Sequence, residues 1–598
     1  MSNENLLYLF EGKQLPDHIV GWHFYQQGLD FKNQIKLFDN VRVNENFFVG
    51  KQWEGVESNG LPTPQINIMK RVVLFIIASI TSDNINVIAS ALANTVGTSG
   101  YKDIVNIIND EFEAIAEQNR LPALIREFAR NAAVDGDGCL YTFWDADAET
   151  GQKAKGRIKT EVVENTRIFF GDPNDRAVQS QPYIIMTKRE SVRRVRRRAK
   201  DNGVKDWMLI KPDDEATEAQ DSAKWTNDKC TTLLLFWRAE DDIENMCKAG
   251  EICCYEFTAD ASVKEPWSLG ITMYPFSWLN WDYVQDSYHG QAMITGLIPN
   301  QVFINKSWAM TMVSIMKAAF SKVIYDATRI KRWDNRVGGA IPVNGGDVNS
   351  VARTIDPAPI SPQVSQYIEL AVEQTEQSLG ATSVALGDTR PDNTSAIIAL
   401  QRAAATPSEM TKQNIYDSIE ELFRIYMEFM GEYYGKRYVD VPPTQQETDA
   451  VTFAQGFNPD VEMPDEVPVL FDFKELKSHP VSIKLDVGAS TYYSQIAAIQ
   501  TMDNLLRNGQ IDIVDYLERI PDDYVPARRA LLEKKKQEIK QMQMAQQAMQ
   551  GMDMGMGMGG GASDMESGLS PKMDVPEGRG YGGLQRAINQ AGDTKGIV

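Results

Sequence analysis

Catalysis needs nucleophiles, bases or metal ligands at converging spacings, and this chain of 598 residues offers few. Its histidines are His18, His23, His289 and His479, so imidazole acid–base or metal chemistry has few candidates. Cys253-Cys254 with His289 matches no standard zinc spacing, and buried or incidental thiols are the simpler reading. No HExxH pair and no GxSxG nucleophile elbow occurs. A phosphate-cradling loop needs Gly-Lys followed by Ser or Thr, but Lys13, Lys51 and Lys436 are followed by Gln, Gln and Arg. The carboxylate groups Asp282, Asp286 and Asp460, Glu462, Asp465, Glu466 read as solvated loops. No catalytic residue, no metal site and no cofactor is expected, and the chain is not expected to be an enzyme.

Charge is the feature with more to say. The run Lys188, Arg189, Arg193, Arg194, Arg196, Arg197, Arg198, Lys200 is a concentrated cation source. It suits nucleic acid or an acidic partner. It equally suits a solvated helix face or an electrostatic seam between subunits, because no aromatic residue is interleaved for base stacking. Glu369, Glu373 and Glu376 share one helix face, either simply solvated or lining an aqueous channel. Overall the net charge is -21, from 82 acidic and 61 basic residues. Tight nucleic-acid binding needs the opposite balance, since cations must displace the counterions of phosphate. A surface past which DNA slides without sticking is compatible with it.

These groups must be positioned by elements the spacing predicts. Ile104, Ile107, Ile108, Phe112, Ile115 and then Leu121, Leu124, Ile125, Phe128 recur at helical spacing. The turn Asp135-Gly136-Asp137-Gly138 leads into an apolar strand at Cys139 to Trp144, and Asp172-Pro173-Asn174 closes another strand pair. Residues 299–322 form the strongest helix pattern, with Pro299 in its first turn and nothing to break it before Asp326. Its apolar residues (Val302, Phe303, Trp308, Met312, Ile315, Met316, Phe320) leave a narrow stripe of Ser307, Thr311, Ser314 and Ser321, which would let a neighbouring helix approach. A Gly/Pro/Asn-rich stretch at 326–360 follows, then a helix at 363–379 with Val364, Tyr367, Ile368, Ala371, Val372, Thr375 and Leu379 on one face. A loop at 380–393 precedes a helix over 395–434, kinked at Pro407. Beyond it come a strand at Val481, Ile483, Leu485, Val487, helices at about 493–507, at 511–519 and from 526, and a Met/Gly-rich tail from about 550 that cannot bury a core.

Composition bounds the class. Hydrophobic residues make up 43% and charged ones 24%, as in soluble globular proteins. Five cysteines without regular spacing suggest a reducing compartment. No signal peptide is expected. The most apolar run, Val72 to Ile80, is about half the length that spans a bilayer, so no membrane is expected.

The order of motifs resembles the portal proteins of tailed double-stranded DNA bacteriophages over roughly residues 40–540. Asn46-Phe47-Phe48-Val49-Gly50-Lys51-Gln52-Trp53 is similar to that family's opening, and Gly136-Asp137-Gly138 with Asn165 to Pro173 (NTRIFFGDP) resembles its sheet region. Asn300-Gln301-Val302-Phe303-Ile304-Asn305-Lys306 resembles the start of a portal stem. Gly387 to Gln401 (GDTRPDNTSAIIALQ) is similar to the loop before the long helix, except that Ala396 stands where Gly is common.

The resemblance implies an α+β, mainly helical portal fold that assembles as a closed ring. It implies a wing (1–286), a first stem helix region (287–325), a clip (326–360), a second stem helix (361–380), a tunnel loop (381–394), a long helix (395–440), a crown (441–540) and a flexible tail (541–598). Gly387, Asp388, Arg390, Asp392 and Asn393 would lie nearest DNA, Glu369, Glu373 and Glu376 would line the channel, and Ser307, Trp308, Thr311 and Ser314 would pack the stem. The implied function is the channel at one capsid vertex through which DNA is packaged and ejected. The implied partners are a dodecameric homo-oligomer, double-stranded DNA, the terminase large subunit, a head–tail adaptor, and the major capsid and scaffolding proteins. The implied location is the virion, after assembly in the host cytoplasm. Two alternatives stay open: a metal-dependent packaging or nuclease subunit, and a different connector protein.

Overall fold

The computed structural model describes residues 15–58, 60–81, 85–91, 99–149, 155–213, 228–244, 246–319, 322–334, 341–355, 362–377, 409–441, 467–478, 481–487, 502–508, 511, 513–519, 531–532 and 534–535. It divides into two compact units, Met1–Ile496 and Ala497–Val598. In the second, the described residues include a helical run at 502–507 and the short helix Ile513–Arg519, in which Leu517 is buried.

The first unit is α+β with antiparallel sheets. Helices α1 (His18–Gln34), α2 (Leu37–Val49) and α3 (Ile68–Thr81) lead to strand β1 (Ile85–Ala91), then to α4 (Ser99–Gln118) and α5 (Leu121–Asp135). Asp17 caps α1 by accepting from Val20 N at 2.9 Å, satisfying one of the orphan donors of a helix start. Helix α5 ends where expected. Gly136 adopts φ +100°, donates back to Ala132 O, and lies so close to Gly290 O that a Cβ would stand 2.7 Å from it. Only glycine meets both demands.

Strands β2 (Asp137–Asp145), β3 (Arg157–Val163) and β9 (Phe276–Asn280) form one sheet in the order β3-β2-β9. Strands β4 (Ile168–Phe170), β5 (Tyr183–Ser191), β6 (Lys229–Arg238), β7 (Ile252–Phe257) and β8 (Ser262–Ser268) form a five-stranded sheet in sequence order, as hairpin connections dictate. The turn at Asp172-Pro173-Asn174 does connect two paired strands, β4 and β5. Helix α6 (Val192–Asp201) packs beside the larger sheet through Val192, Val195 and Ala199 in a small core of its own.

Two long helices follow, α7 (Met293–Ala319) and α8 (Pro362–Gln377), with β10 (Lys322–Tyr325) and β11 (Ala352–Ile355) paired antiparallel between them. Here the structure corrects the sequence reading. Helix α7 starts at Met293, placing Pro299 inside it, and Lys322, the last residue of the predicted helix, opens the strand Lys322–Tyr325. Val323 and Ile324 are β-branched and gain ladder partners in Thr354 and Arg353, which outweighs an apolar pattern compatible with either state.

Helix α9 (Glu409–Phe429) closes in a π-helical turn, Met430–Tyr434. The earlier part of that predicted helix, with Pro407, and the loop at 380–393 lie outside the described residues. Ile415, Ile419, Leu422, Phe423 and Tyr426 of α9 enter the main core with Ile108, Phe112, Phe128, Leu140 and Phe276. The alternating run at 481–487 is strand β14 (Val481–Val487), and it pairs with β1 near the start of the chain. Strands β12 (Lys436–Val441) and β13 (Val467–Asp472) pair as well, so residues up to 496 belong to the same compact unit as the first region.

Candidate oligomer interface and channel stem

The root of α7 is held by polar side chains turned inward. Gln301 Nε2 donates to Ile66 O (2.6 Å) and to Asn305 Oδ1 (3.0 Å), and Asn305 Nδ2 donates to Gln52 Oε1 (2.6 Å). Gln301, Asn305 and Gln52 are all buried, so each bond matters more than on a surface. Asn67 Nδ2 donates to the carbonyls of Phe47 and Phe48, and Trp53 Nε1 to Pro64 O. Two motifs some 250 positions apart, around Gln52-Trp53 and around Asn300–Asn305, thereby become one hydrogen-bonded joint.

Beyond that joint α7 changes character. Ser307 is buried and Thr311 Oγ1 donates to Ser307 O at 2.9 Å, so this part of the hydroxyl stripe faces the helix's own chain. Ser314 is half-buried. The large apolar residues face out: Phe303 is 50% exposed, Trp308 37%, Met310 60%, Met312 38%, Ile315 54% and Met316 45%. These residues lie on more than one face, since Phe303 and Met310 stand opposite Met312, so the far part of the helix is exposed on several sides. Large apolar side chains exposed in this number mark protein contacts rather than a solvated helix.

Helix α8 packs on α7 through Ile368 and Thr375, with Asn300 Nδ2 donating to Thr375 Oγ1 at 3.2 Å. Of the predicted apolar face, Val364 and Tyr367 are exposed instead, as is Leu370. Glu369 and Glu373 are exposed, whereas Glu376 lies 3.7 Å from Arg71 of α3. The acidic stripe is therefore divided, with one member turned toward the helical body.

The basic run also divides. Lys188 and Arg189 belong to β5 and the rest to α6. Arg196 donates twice to Ile210 O, at 2.9 and 2.6 Å, and Arg198 pairs with Glu190 at 2.6 Å and with Glu256. Burial raises the carboxyl of Glu256 and Arg198 pulls it back down. Arg196 and Arg198 are thus part of the fold, while Arg193, Arg194 and Arg197 remain exposed.

A buried polar centre ties the β3-β2-β9 sheet to the segment leading into α7, and no spacing rule announces it. Asp137, fully buried, accepts from His289 Nδ1 and Gly290 N at 2.6 Å each, and from Asn280 Nδ2 at 2.8 Å. Burial pushes His289 below the usual imidazole range although Asp137 pulls the other way, which leaves a neutral ring with its Nδ1 proton on the Asp137 side. Lys32, also fully buried, donates to the carbonyls of Asn165 (2.7 Å), Thr166 (3.0 Å) and Ile168 (2.6 Å). The signal for this centre was the Gly136-Asp137-Gly138 turn itself, where a carboxylate sits between two residues that leave room for close backbone approach.

His289 is therefore engaged by Asp137 and not by Cys253 or Cys254, whose thiols lie buried on β7 with their pKa values pushed up by burial. Among the described residues no group of three His, Cys, Asp or Glu side chains could hold a metal ion. Gly387, Asp388, Arg390, Asp392 and Asn393 lie outside the described residues, as do Asp460, Glu462, Asp465 and Glu466. No described helix is long and apolar enough to cross a membrane.

A family model described as phage P22-like portal protein matches residues 24–566. No curated protein matches the chain.

Proposed function

The chain belongs to the phage P22-like portal protein family and serves as a portal in phage DNA packaging; from that premise we propose how its parts divide the work. Portal proteins are structural rather than enzymatic, and membership implies an oligomer at the capsid vertex with DNA and terminase as partners in general. In our reading the chain has no catalytic role of its own, and its copies close into a ring, a dodecamer, around a channel.

One observation carries this reading: α7 is rooted by buried polar bonds at Gln301 and Asn305 but presents Phe303, Met310, Ile315 and Met316 to solvent. A lone chain gains nothing from that arrangement. Head-to-tail neighbours cover those side chains, and a heterologous contact whose rotation closes gives a ring. Glu369 and Glu373 on α8 would then line the channel, and carboxylates there repel phosphate over a Debye length of about 8 Å. Strands β10 and β11 with their connection would form the clip that meets the terminase large subunit during packaging and a head–tail adaptor afterwards. The loop at 381–394 would approach DNA most closely, residues 1–286 would form the wing and 441–540 the crown. Scaffolding and major capsid proteins would contact the outside of the ring during assembly in the host cytoplasm, and the assembled virion would later eject its DNA through the same channel.

Electron microscopy of the purified protein, paired with its mass in solution, tests the reading. Rings of about a dozen subunits with a hole wide enough for a duplex support it. A protein that stays monomeric at high concentration and with scaffold present overturns it.

A further inference from the structure

Strand β6 carries charged surfaces of opposite sign at its two ends. At its start Ser191 pairs with Lys229 and Val192 N donates to Asp228 O at 2.9 Å, so α6 lies across that end of the five-stranded sheet. The helix is seated there by Val192, Val195 and Ala199, which pack with Cys230 and Val263. Its outer side presents Arg193, Arg194, Arg197 and Lys200, all exposed. Among the described residues the one ion pair these four make is a loose one, Arg197 to Asp201 at 3.9 Å. The Trp207–Leu209 turn is held against the same helix, with Lys200 over the Trp207 ring and Arg196 donating to Ile210 O. It leaves Met208 68% and Leu209 52% exposed beside the cations. At the far end of β6 the connection to β7 carries Glu240, Asp241, Asp242, Glu244 and Glu251 against Lys248 alone. It is a hairpin: Ile243 and Cys247 exchange backbone bonds at 2.9 and 3.2 Å, and Asp242 accepts from Ala249 N at 2.8 Å. Asp241, Asp242 and Glu244 are exposed, with half-buried Ile243 and Met246 among them. The 10 residues of β6, at a rise of about 3.4 Å each, hold the two surfaces about 30 Å apart.

A head-to-tail contact joins two different patches, one from each side of the subunit, and every copy must carry both. A chain of net charge -21 repels its own copies over most of its surface. The α6 face turns that repulsion into attraction, and the hairpin at the other end of β6 supplies the complementary charge. Each patch also mixes its charges with apolar side chains, as a protein contact does. Duplex DNA is the poorer occupant of the α6 face, because contacts to phosphate leave Met208 and Leu209 uncovered. We propose that the α6 face of one copy meets the β6–β7 hairpin of the next copy, forming an electrostatic seam in addition to the α7 contact. The seam rests on the portal reading, since it needs copies that associate head to tail.

Mass photometry of the full-length protein tests the seam by charge reversal. Arg193→Glu with Arg194→Glu makes both ends acidic, and like charges facing each other should weaken assembly by at least about tenfold. Asp241→Lys with Glu244→Lys makes both ends basic and should do the same, while Asp242 stays in place to hold the hairpin. Two samples restore opposite signs across the contact: an equimolar mixture of the two variants, and a chain carrying all four substitutions. Both should assemble to within a few-fold of wild type. The defect of each variant alone should shrink at about 1 M salt, where the Debye length is about 3 Å. A role in folding or in holding nucleic acid would not be rescued by exchanging the signs. Wild-type rings with variants that assemble normally, or with defects that neither pairing repairs, overturn the seam and leave the portal reading standing. Normal assembly of the arginine variant with a loss of duplex binding gives the α6 face to DNA and also overturns it. A wild type that never assembles overturns both.

Discussion

Replacing Ile315 by Asp puts a carboxylate on the exposed far part of α7, where the native side chain is 54% exposed. Fully burying a large apolar side chain is worth about 1.5–3 kcal/mol, so covering the remaining half of Ile315 in a subunit contact contributes about 1 kcal/mol. Phe303, Met310 and Met316 are comparably exposed, and the four together supply about 4 kcal/mol per subunit, shared among its neighbours, before the cost of association. The Asp variant forfeits the Ile315 share and adds the penalty of desolvating an unpaired charge, at least about 2–3 kcal/mol. A total of about 3–4 kcal/mol lowers each association constant by two to three orders of magnitude. In the isolated chain the same substitution is on a surface and should change stability by no more than about 0.5 kcal/mol. Ile315→Ser removes the apolar share without the charge and should weaken each contact about fivefold. Mass photometry over a concentration series reads the assembly, and a urea melt of the monomer reads the fold. Oligomers forming at the wild-type concentration in Ile315→Asp, or a destabilised monomer, would refute the reasoning.

Arg198→Met strands Glu190 and Glu256 beside each other and should cost about 2–4 kcal/mol in a urea melt, whereas Arg193→Gln and Arg194→Gln should leave the midpoint unchanged; equal effects would mean the run acts as one surface. Asp135, at the end of α5, has an oxygen buried without a partner, and burial with the nearby Glu45 charge pushes its carboxyl up to about 8. Its folded pKa lies above the unfolded 3.8, so its contribution to stability is complete below that pH and is lost as the pH rises toward 8. Asp135→Asn should therefore flatten the decline in that window, by up to about 1.4 kcal/mol per pH unit; parallel wild-type and variant profiles would show that another group is responsible. Deleting residues 383–393 should leave oligomers intact while lowering the DNA packaged per particle, and normal packaging would remove that loop from the channel.

Much of this was legible in the chain itself. The chain carries no Gly-Lys-Ser/Thr phosphate loop and no converging histidine or cysteine spacing. The Asp135-Gly136-Asp137-Gly138 turn and the alternation at 481–487 specify their elements locally, because φ above zero and a period of two leave few alternatives. The order of motifs pointed to the portal family, which the match over residues 24–566 establishes. What the chain could not reveal were pairings across long separations. Nothing local in Val481–Val487 names Ile85–Ala91 as its partner, and nothing near Asp137 names His289. The sidedness of α7 was likewise undetermined. Apolar residues surround nearly the whole helix, so periodicity identified a helix without choosing the face to bury. That choice was made by Gln52 and the Ile66 carbonyl, which offer Asn305 and Gln301 partners that water would otherwise have to supply. Those bonds fix the root of the helix; beyond Ala309 it is exposed on several faces, and its apolar side chains are left for another subunit to cover.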